Sequence, residues 1–511
     1  MFPKIVRAGQ DITTNFDIAG NAYGNSNAPY YDCQPGTNCV VEAIEPNGNI
    51  FRITGGAIGG YAVGGYGDDS SANNNKVILS AGNIAQHLYG GFVVAQSPHN
   101  SPLTANGNSL ELTGGTVGFS ITGANAYASA QVLETNIFAN FNSVNIDVTS
   151  SLTDISNIYG ADIINAGIGF ASAEGNTVNI VNGIIKLLYS NIAGASVYSS
   201  YGDSTAIRNK VNISGGNIGV DISSSGLRAI YGGYASSFNS SGTAVAYFNE
   251  VNISAGILKG RSGFAIYGGY GLSPNGGPLH VSAMGNIVNI SGGEVNGDVF
   301  GGTGASASLS RAGVATGNFV NVSGGLINGS VFGGEGYHAY PSGVATATGN
   351  EVTISGAPTF GANSEIYGGI AHGKGDDVTG NTLNFLTSGI AVKGLYNFAR
   401  LNFLLPANAA NGATILTVTD RAEVTYATVE VAVAGASSPL GPGDEFILID
   451  ATVLDGAPLN SQTSGFGARG VSLVYEFELL QSGNQLKAVV RKAAVNERVK
   501  ALSEGFVAAL G

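Results

Sequence analysis

Three acids fall within one short stretch, Val144-Asn-Ile-Asp147-Val-Thr-Ser-Ser-Leu-Thr-Asp154-Ile-Ser-Asn-Ile-Tyr159-Gly-Ala-Asp162. Carboxyl groups that converge can serve as acid and base on a glycosidic bond. Such a site on an acidic polysaccharide also wants Lys or Arg, and the next basic residue along the chain is Lys186. The preferred reading of Asp147, Asp154 and Asp162 is a degenerate repeat. Two acid pairs, Asp68-Asp69 and Asp376-Asp377, lie about nine repeats apart, or about 43 Å at the spacing of stacked strands. They cannot share a substrate. Gly202-Asp203-Ser204 has the form of a serine nucleophile motif, but the five histidines (87, 99, 280, 338, 372) offer no matching base. Gly64-Gly-Tyr-Gly-Asp-Asp69 matches one unit of a calcium-binding nonapeptide, a site that needs tandem units nine residues apart. No catalytic set, metal site or cofactor is expected.

Cys33 and Cys39 flank Pro35-Gly36, a turn that can bring the thiols together. In an oxidising compartment they are expected to pair as a disulfide.

The residues that must position any site are repetitive. Gly supplies 79 of 511 residues, 44% are apolar and only 11% are charged. Disordered chains are polar and charged, so this chain is expected to be ordered. The net charge of −13 and the lack of a basic run exclude nucleic acid as a partner. No apolar run is long enough for a membrane-spanning helix.

A strand motif recurs eleven times. Its clearest copies are Val211-Asn-Ile-Ser-Gly-Gly216, Val288-Asn-Ile-Ser-Gly-Gly293 and Val320-Asn-Val-Ser-Gly-Gly325, with weaker ones starting at Phe51, Val77, Leu110, Val144, Val178, Val251, Val352 and Leu383. Apolar and polar residues alternate, which marks a strand with one buried face. A second short strand follows, then an aromatic residue often followed by Gly-Gly (Tyr89, Tyr231, Tyr267, Phe300, Phe332, Tyr367), then an elastic loop. Two residues before every motif stands an Asn: Asn49, Asn75, Asn108, Asn142, Asn176, Asn209, Asn249, Asn286, Asn318, Asn350 and Asn381. Loop length drifts while this position does not. Amides stacked about 4.8 Å apart can donate to and accept from one another, which is what a buried ladder requires. Three strands, sharp bends and one loop per repeat predict an all-β, right-handed parallel β-helix of about eleven coils. Asn212, Asn252, Asn289 and Asn321 match the N-glycosylation pattern as a by-product of the motif. The aromatic file is expected to be stacked packing rather than a sugar-binding strip.

Gly-Asn-x-Val-x-Ile-Ser-Gly-Gly and Ile-Tyr-Gly-Gly-Tyr resemble passenger domains of monomeric, type V bacterial autotransporters of the pertactin-like kind. Tyr396-Asn-Phe-Ala-Arg-Leu-Asn-Phe-Leu-Leu-Pro406 is similar to the segment after that family's last coil. Gly441–Asp450 and Val471–Phe477 resemble its capping strands, and Lys500–Gly505 its linker into the translocator barrel. The resemblance covers residues 49–511. It implies repeats over 49–394, an autochaperone-like β cap over 395–490, and a linker over 491–511; residues 1–48 are expected to form an N-terminal cap with a possible disulfide loop. Val495, Val499, Leu502, Phe506 and Leu510 recur every three or four residues, so this last segment is expected to be a short amphipathic helix. The resemblance further implies an extracellular or outer-membrane surface location. Its implied partner is a translocator barrel that this chain does not contain, so the export parts are expected to have been removed or encoded elsewhere. The expected function is an adhesin, self-association module or structural spacer, acting on a host or bacterial surface ligand or on itself. A β-helix enzyme acting on polysaccharide is the alternative.

Overall fold

The computed structural model describes residues 11–14, 17–18, 21–23, 46–96, 101–129, 135–219, 226–238, 242–274, 280–307, 312–340, 342–406, 409–434, 440–466 and 473–495. Cys33 and Cys39 lie outside the described residues. Strands dominate and no helix is present among the described residues. Val211 pairs with Val251, Val251 with Val288 and Val288 with Val320, each in parallel and one repeat apart. The chain is a parallel β-solenoid of about ten turns. Coils are numbered here from the Asn that opens each, Asn49 for coil 1 and Asn381 for coil 11.

Each central coil has four faces. Face 1 is the Val-x-Ile motif, as in Ile287–Ile290, with Val288 and Ile290 inward. The glycines after it release the chain into face 2, a strand of two or three residues such as Glu294–Asn296. Face 3 carries the aromatic residue and Gly-Gly, as in Asp298–Ser306. Face 4 is a finding: the expected loop ends in a further strand, and eight of these, from Leu103–Thr104 to Ala345–Thr348, form a sheet of their own. They are two to five residues long and most are rich in Ala, Ser and Thr, which is why they read as loop.

The interior has two parts. Faces 1 to 3 enclose a core of Val, Ile, Leu and Phe. Burying each such side chain is worth about 1.5–3 kcal/mol. Face 4 and the end of face 3 enclose a thinner layer dominated by Ala, including Ala124, Ala126, Ala173, Ala206 and Ala235. Between them the solenoid narrows. The first glycine of the pair forms an unbroken column through coils 1 to 10: Gly64, Gly90, Gly123, Gly160, Gly194, Gly232, Gly268, Gly301, Gly333 and Gly368. A Cβ at any of these would fall 2.2–2.4 Å from a carbonyl oxygen of the next coil. The glycine is there because the backbones leave no room for a methyl.

Both ends extend the stack. Asp11–Thr14 pairs with face 1 of coil 1 and Ala22–Tyr23 with its face 3. Beyond coil 11, Arg400–Leu405 and Thr428–Val433 continue face 1 in parallel, and Glu445–Asp455 stacks in parallel on Thr414–Glu423. The pattern then reverses: Gln462–Phe466, Leu473–Ser482 and Gln485–Val495 pair antiparallel, and the last of them closes on Glu445–Asp450. The amphipathic helix expected from residue 491 is not seen among the described residues. Arg491–Val495 complete a strand, held by a hairpin turning at Gly483-Asn484, with Gly483 at φ 58°. Pairing with Leu473–Ser482 satisfies their backbone, which overrides the helical spacing as far as Val495. Residues 496–511 lie outside the described residues.

Candidate binding surface

The Asn residues set the register of everything else. Each ladder amide donates through Nδ2 to Oδ1 of the Asn one coil on, at 2.8–3.2 Å over ten steps from Asn49 to Asn381. The same Oδ1 accepts the preceding Asn's backbone N–H at 2.8–3.1 Å. The second amide hydrogen reaches a face 4 carbonyl, such as Ala206, Ala246 or Ala283. Each rung must therefore donate twice and accept twice. Ser is too short and Asp cannot donate. The residue before each ladder Asn is left-handed, at φ 53–74° in all eleven coils. Seven of these are Gly; the others are Asn74, Phe141, Arg208 and Phe248. The tight turn belongs to this residue rather than to the Asn.

A second amide ladder runs outside face 1. Asn179, Asn212, Asn252, Asn289 and Asn321 each donate backwards to the preceding coil's Asn, beginning at Asn145, at 2.6–2.8 Å. The four sequon asparagines are rungs of this ladder.

Face 3 presents the aromatic column outward. Tyr231, Tyr267, Phe300, Phe332, Tyr367 and Tyr396 stack continuously, with centroids 4.5–5.2 Å apart and planes within 24°. Ring faces inside this stack are spent on one another. By register Tyr89 and Tyr159 belong to the same column, interrupted by Thr122 and Ala193. A parallel file lies three residues on: Tyr66, Phe92, Asn125, Asp162, Ser196, Tyr234, Tyr270, Thr303 and Glu335. In a straight strand residues i and i+3 point to opposite faces. Here Tyr89–Phe92, Tyr231–Tyr234 and Tyr267–Tyr270 meet at 5.0–5.2 Å, so the chain bends at Gly-Gly and both files line one outer channel.

The channel has polar edges. Glu335 accepts from Thr303 Oγ1 at 3.1 Å and pairs with His372 Nε2 at 3.1 Å, which raises the His372 pKa. Glu365 accepts from the Tyr367 hydroxyl at 2.7 Å and from Lys393 at 2.9 Å. Asp162 takes a contact from Asn125 Nδ2 at 3.5 Å, and burial pushes its carboxyl up to about 6. Burial likewise raises the Tyr66 phenol to about 12 and keeps Tyr159, Tyr231 and Tyr267 protonated.

The acids singled out in the sequence do not converge. Asp147 and Asp154 are exposed, at the end of face 1 and at the corner before face 3, whereas Asp162 lies in the channel. Asp68 and Asp69 bind Gln96, and Asp376 caps Val378 and Thr379. Ser204 is buried, with its hydroxyl on the Thr243 carbonyl, and Asp203 accepts the Thr243 N–H. Glu335 and Glu365 escaped the sequence reading, and His372 was weighed there only as a base for Ser204, because loops of different length separate residues that stacking aligns. Aligning the repeats on their Asn would have found the column three residues after the aromatic. Comparison of the chain with family models, with curated proteins and with solved structures finds no match in any of the three.

Proposed function

We propose that this chain is the surface-displayed passenger of a bacterial autotransporter, carried out by an outer-membrane translocator barrel, and that it acts by binding. In this reading it is an adhesin or self-association module whose ligand spans several coils; a spacer is the limiting case. The observation that supports it is the outer channel, whose aromatic stack and parallel file continue over coils 6 to 9 in strict register. Similar contacts repeated along a rod add by multivalency, so no single coil needs to bind tightly. The test is display of the chain on a non-adherent bacterium, scoring aggregation and attachment to cells and matrix. Attachment or aggregation above the empty display scaffold is expected; neither would leave only the spacer.

A polysaccharide-acting enzyme is the second reading, and Asp162 is the observation that favours it. A carboxyl titrating at about 6 can act as a general acid near neutral pH. Among the described residues the next acid of the same file, Glu335, lies five coils along, about 24 Å away at strand spacing, against the roughly 5–10 Å of a glycosidase pair. Turnover of any polysaccharide, abolished by Asp162→Asn, would establish the enzyme instead.

A further inference from the structure

At the corner between face 4 and face 1, coils 5 to 7 depart from their neighbours. The left-handed position before the ladder Asn is Gly in most coils, but here it holds Arg208 at φ 53° and Phe248 at φ 55° in succession. A Cβ in this conformation crowds the backbone, which is why glycine is the default. Neither side chain recovers that cost by burial: Phe248 is 57% exposed, and the Arg208 side chain 65%. One side of the Phe248 ring lies over Gly285, whose Cβ, if it had one, would sit 2.6 Å from the ring. The other side turns toward coil 5. There Arg208, Lys210, Phe248 and Glu250 line a solvent-open depression of about 450 Å³.

We propose that this corner is a binding subsite for one unit of a neutral glycan, an inference that rests on the reading of the chain as a binding protein. A hexopyranose presents an apolar C–H face and a rim of hydroxyls. The free side of Phe248 fits the first. The rim needs donors and acceptors together, and the pocket supplies both: Arg208 and Lys210 donate, Glu250 accepts. Each cation is matched by a carboxylate, Arg208 with Glu174 at 2.8 Å and Lys210 with Glu250 at 2.7 Å. The site thus carries no excess positive charge to draw an anionic sugar, and the chain's net charge of −13 opposes one.

The backbone supplies a test that separates binding from folding. Phe248→Gly and Arg208→Gly place the residue the φ angle favours, so both variants should melt at or above the wild-type temperature. Phe141→Gly is the control: Phe141 holds the same position in coil 3 at φ 57°, is 67% exposed and lies outside the pocket. Full-length proteins are run by affinity electrophoresis through dextran, xylan, galactomannan and laminarin, and through alginate and polygalacturonate as anionic probes. Wild type and Phe141→Gly should be retarded by at least one neutral polymer, with Phe248→Gly and Arg208→Gly weakened tenfold or more. Wild type retarded by no neutral polymer, or the pocket variants retarded equally, would overturn the subsite; retardation by anionic polymers alone would overturn the ligand class. If displayed wild-type cells still attach in those cases, the binding function stands and only the subsite falls. If they do not attach, both fall.

Discussion

The molecule builds two ladders from the same residue at the same spacing, and they are not equivalent. Inside the waist, Asn49 to Asn381 are buried, and their amides hold two coils and face 4 together. Outside face 1, Asn145 to Asn321 form bonds of opposite polarity that are slightly shorter, on half-exposed side chains. The difference that matters is not length but access to water. A donor that loses its partner outside can turn to solvent, whereas one that loses it inside cannot, and the penalty for an unmade bond exceeds the gain from a made one.

The largest effect is therefore expected from Asn318→Ala. It removes the acceptor of both the Asn286 backbone N–H and the Asn286 side-chain amide, at 3.1 and 3.0 Å, in a fully buried setting. At about 1–3 kcal/mol for each group left unpaired, the unfolding free energy from denaturant titration should fall by about 2 kcal/mol or more. A loss under about 1 kcal/mol would mean that water replaces the amide, and the contrast between the ladders would fail.

Next in size is Gly301→Ala, which tests the wall against which the inner ladder packs. Its Cβ would lie 2.2 Å from the Gly333 carbonyl oxygen, a backbone atom that moves only if the strands part. Overpacking of this kind costs about 1–3 kcal/mol. The second glycine position already holds Ala124, Ala161 and Ala195 in coils 3 to 5, each fully buried. Gly302→Ala should accordingly cost less than Gly301→Ala, by thermal or denaturant melts of the two variants.

What was legible in the sequence follows the same division. The inner ladder could be read because only a residue that donates and accepts at once fits every rung, so the position holds while the loops drift. Gly-Gly was visible, but its reason was not, since the carbonyl that forbids a methyl belongs to another coil. Face 4 was missed because strands such as Ala171–Glu174 and Ala345–Thr348 contain no large apolar residue. The left-handed corner before each Asn was not legible, because Asn74, Phe141, Arg208 and Phe248 stand where the other coils have Gly. The strand over Arg491–Val495 was not legible, because Val495 fits the helical period expected there and the hairpin partner that claims it can be seen only in the fold.

Asp162 lies between the two extremes, half-buried in the channel beside Asn125 and Ser196. Its folded pKa is raised from 3.8 to about 6 by desolvation. The protonated form is the one the fold favours. The contribution is fully present below about 3.8, declines as pH rises through about 6, and stays lost above that. Asp162→Asn cannot ionise, so relative to wild type it should gain stability between pH 4 and 6.5 and show no such gain below pH 3.5. A stability difference independent of pH across this window would show that water solvates the carboxylate.

The smallest effect is expected from Asn289→Ala, and it is the most direct probe of the comparison. Asn289 donates to Asn252 Oδ1 at 2.8 Å and accepts from Asn321 Nδ2 at 2.8 Å, so the variant deletes two bonds as short as any in the inner ladder. If bond count governed stability, its cost would approach that of Asn318→Ala. Three features argue against this. Asn289 is half-exposed. The amides of Asn252 and Asn321 stay within reach of water once the rung is gone. No backbone N–H depends on the Asn289 side chain, because Ile287–Ile290 is already paired on both sides. A surface substitution without a buried orphan usually falls within about 0.5 kcal/mol. Replacing Asn252, Asn289 and Asn321 together should then cost little more than the single changes, whereas changes at two inner rungs that do not touch, such as Asn176 and Asn318, should cost about their sum. Measured by denaturant midpoints at one pH, a loss for Asn289→Ala above about 1 kcal/mol would show that the outer amides act cooperatively along the rod despite solvent, and that both ladders, rather than the buried one alone, hold the coils in register.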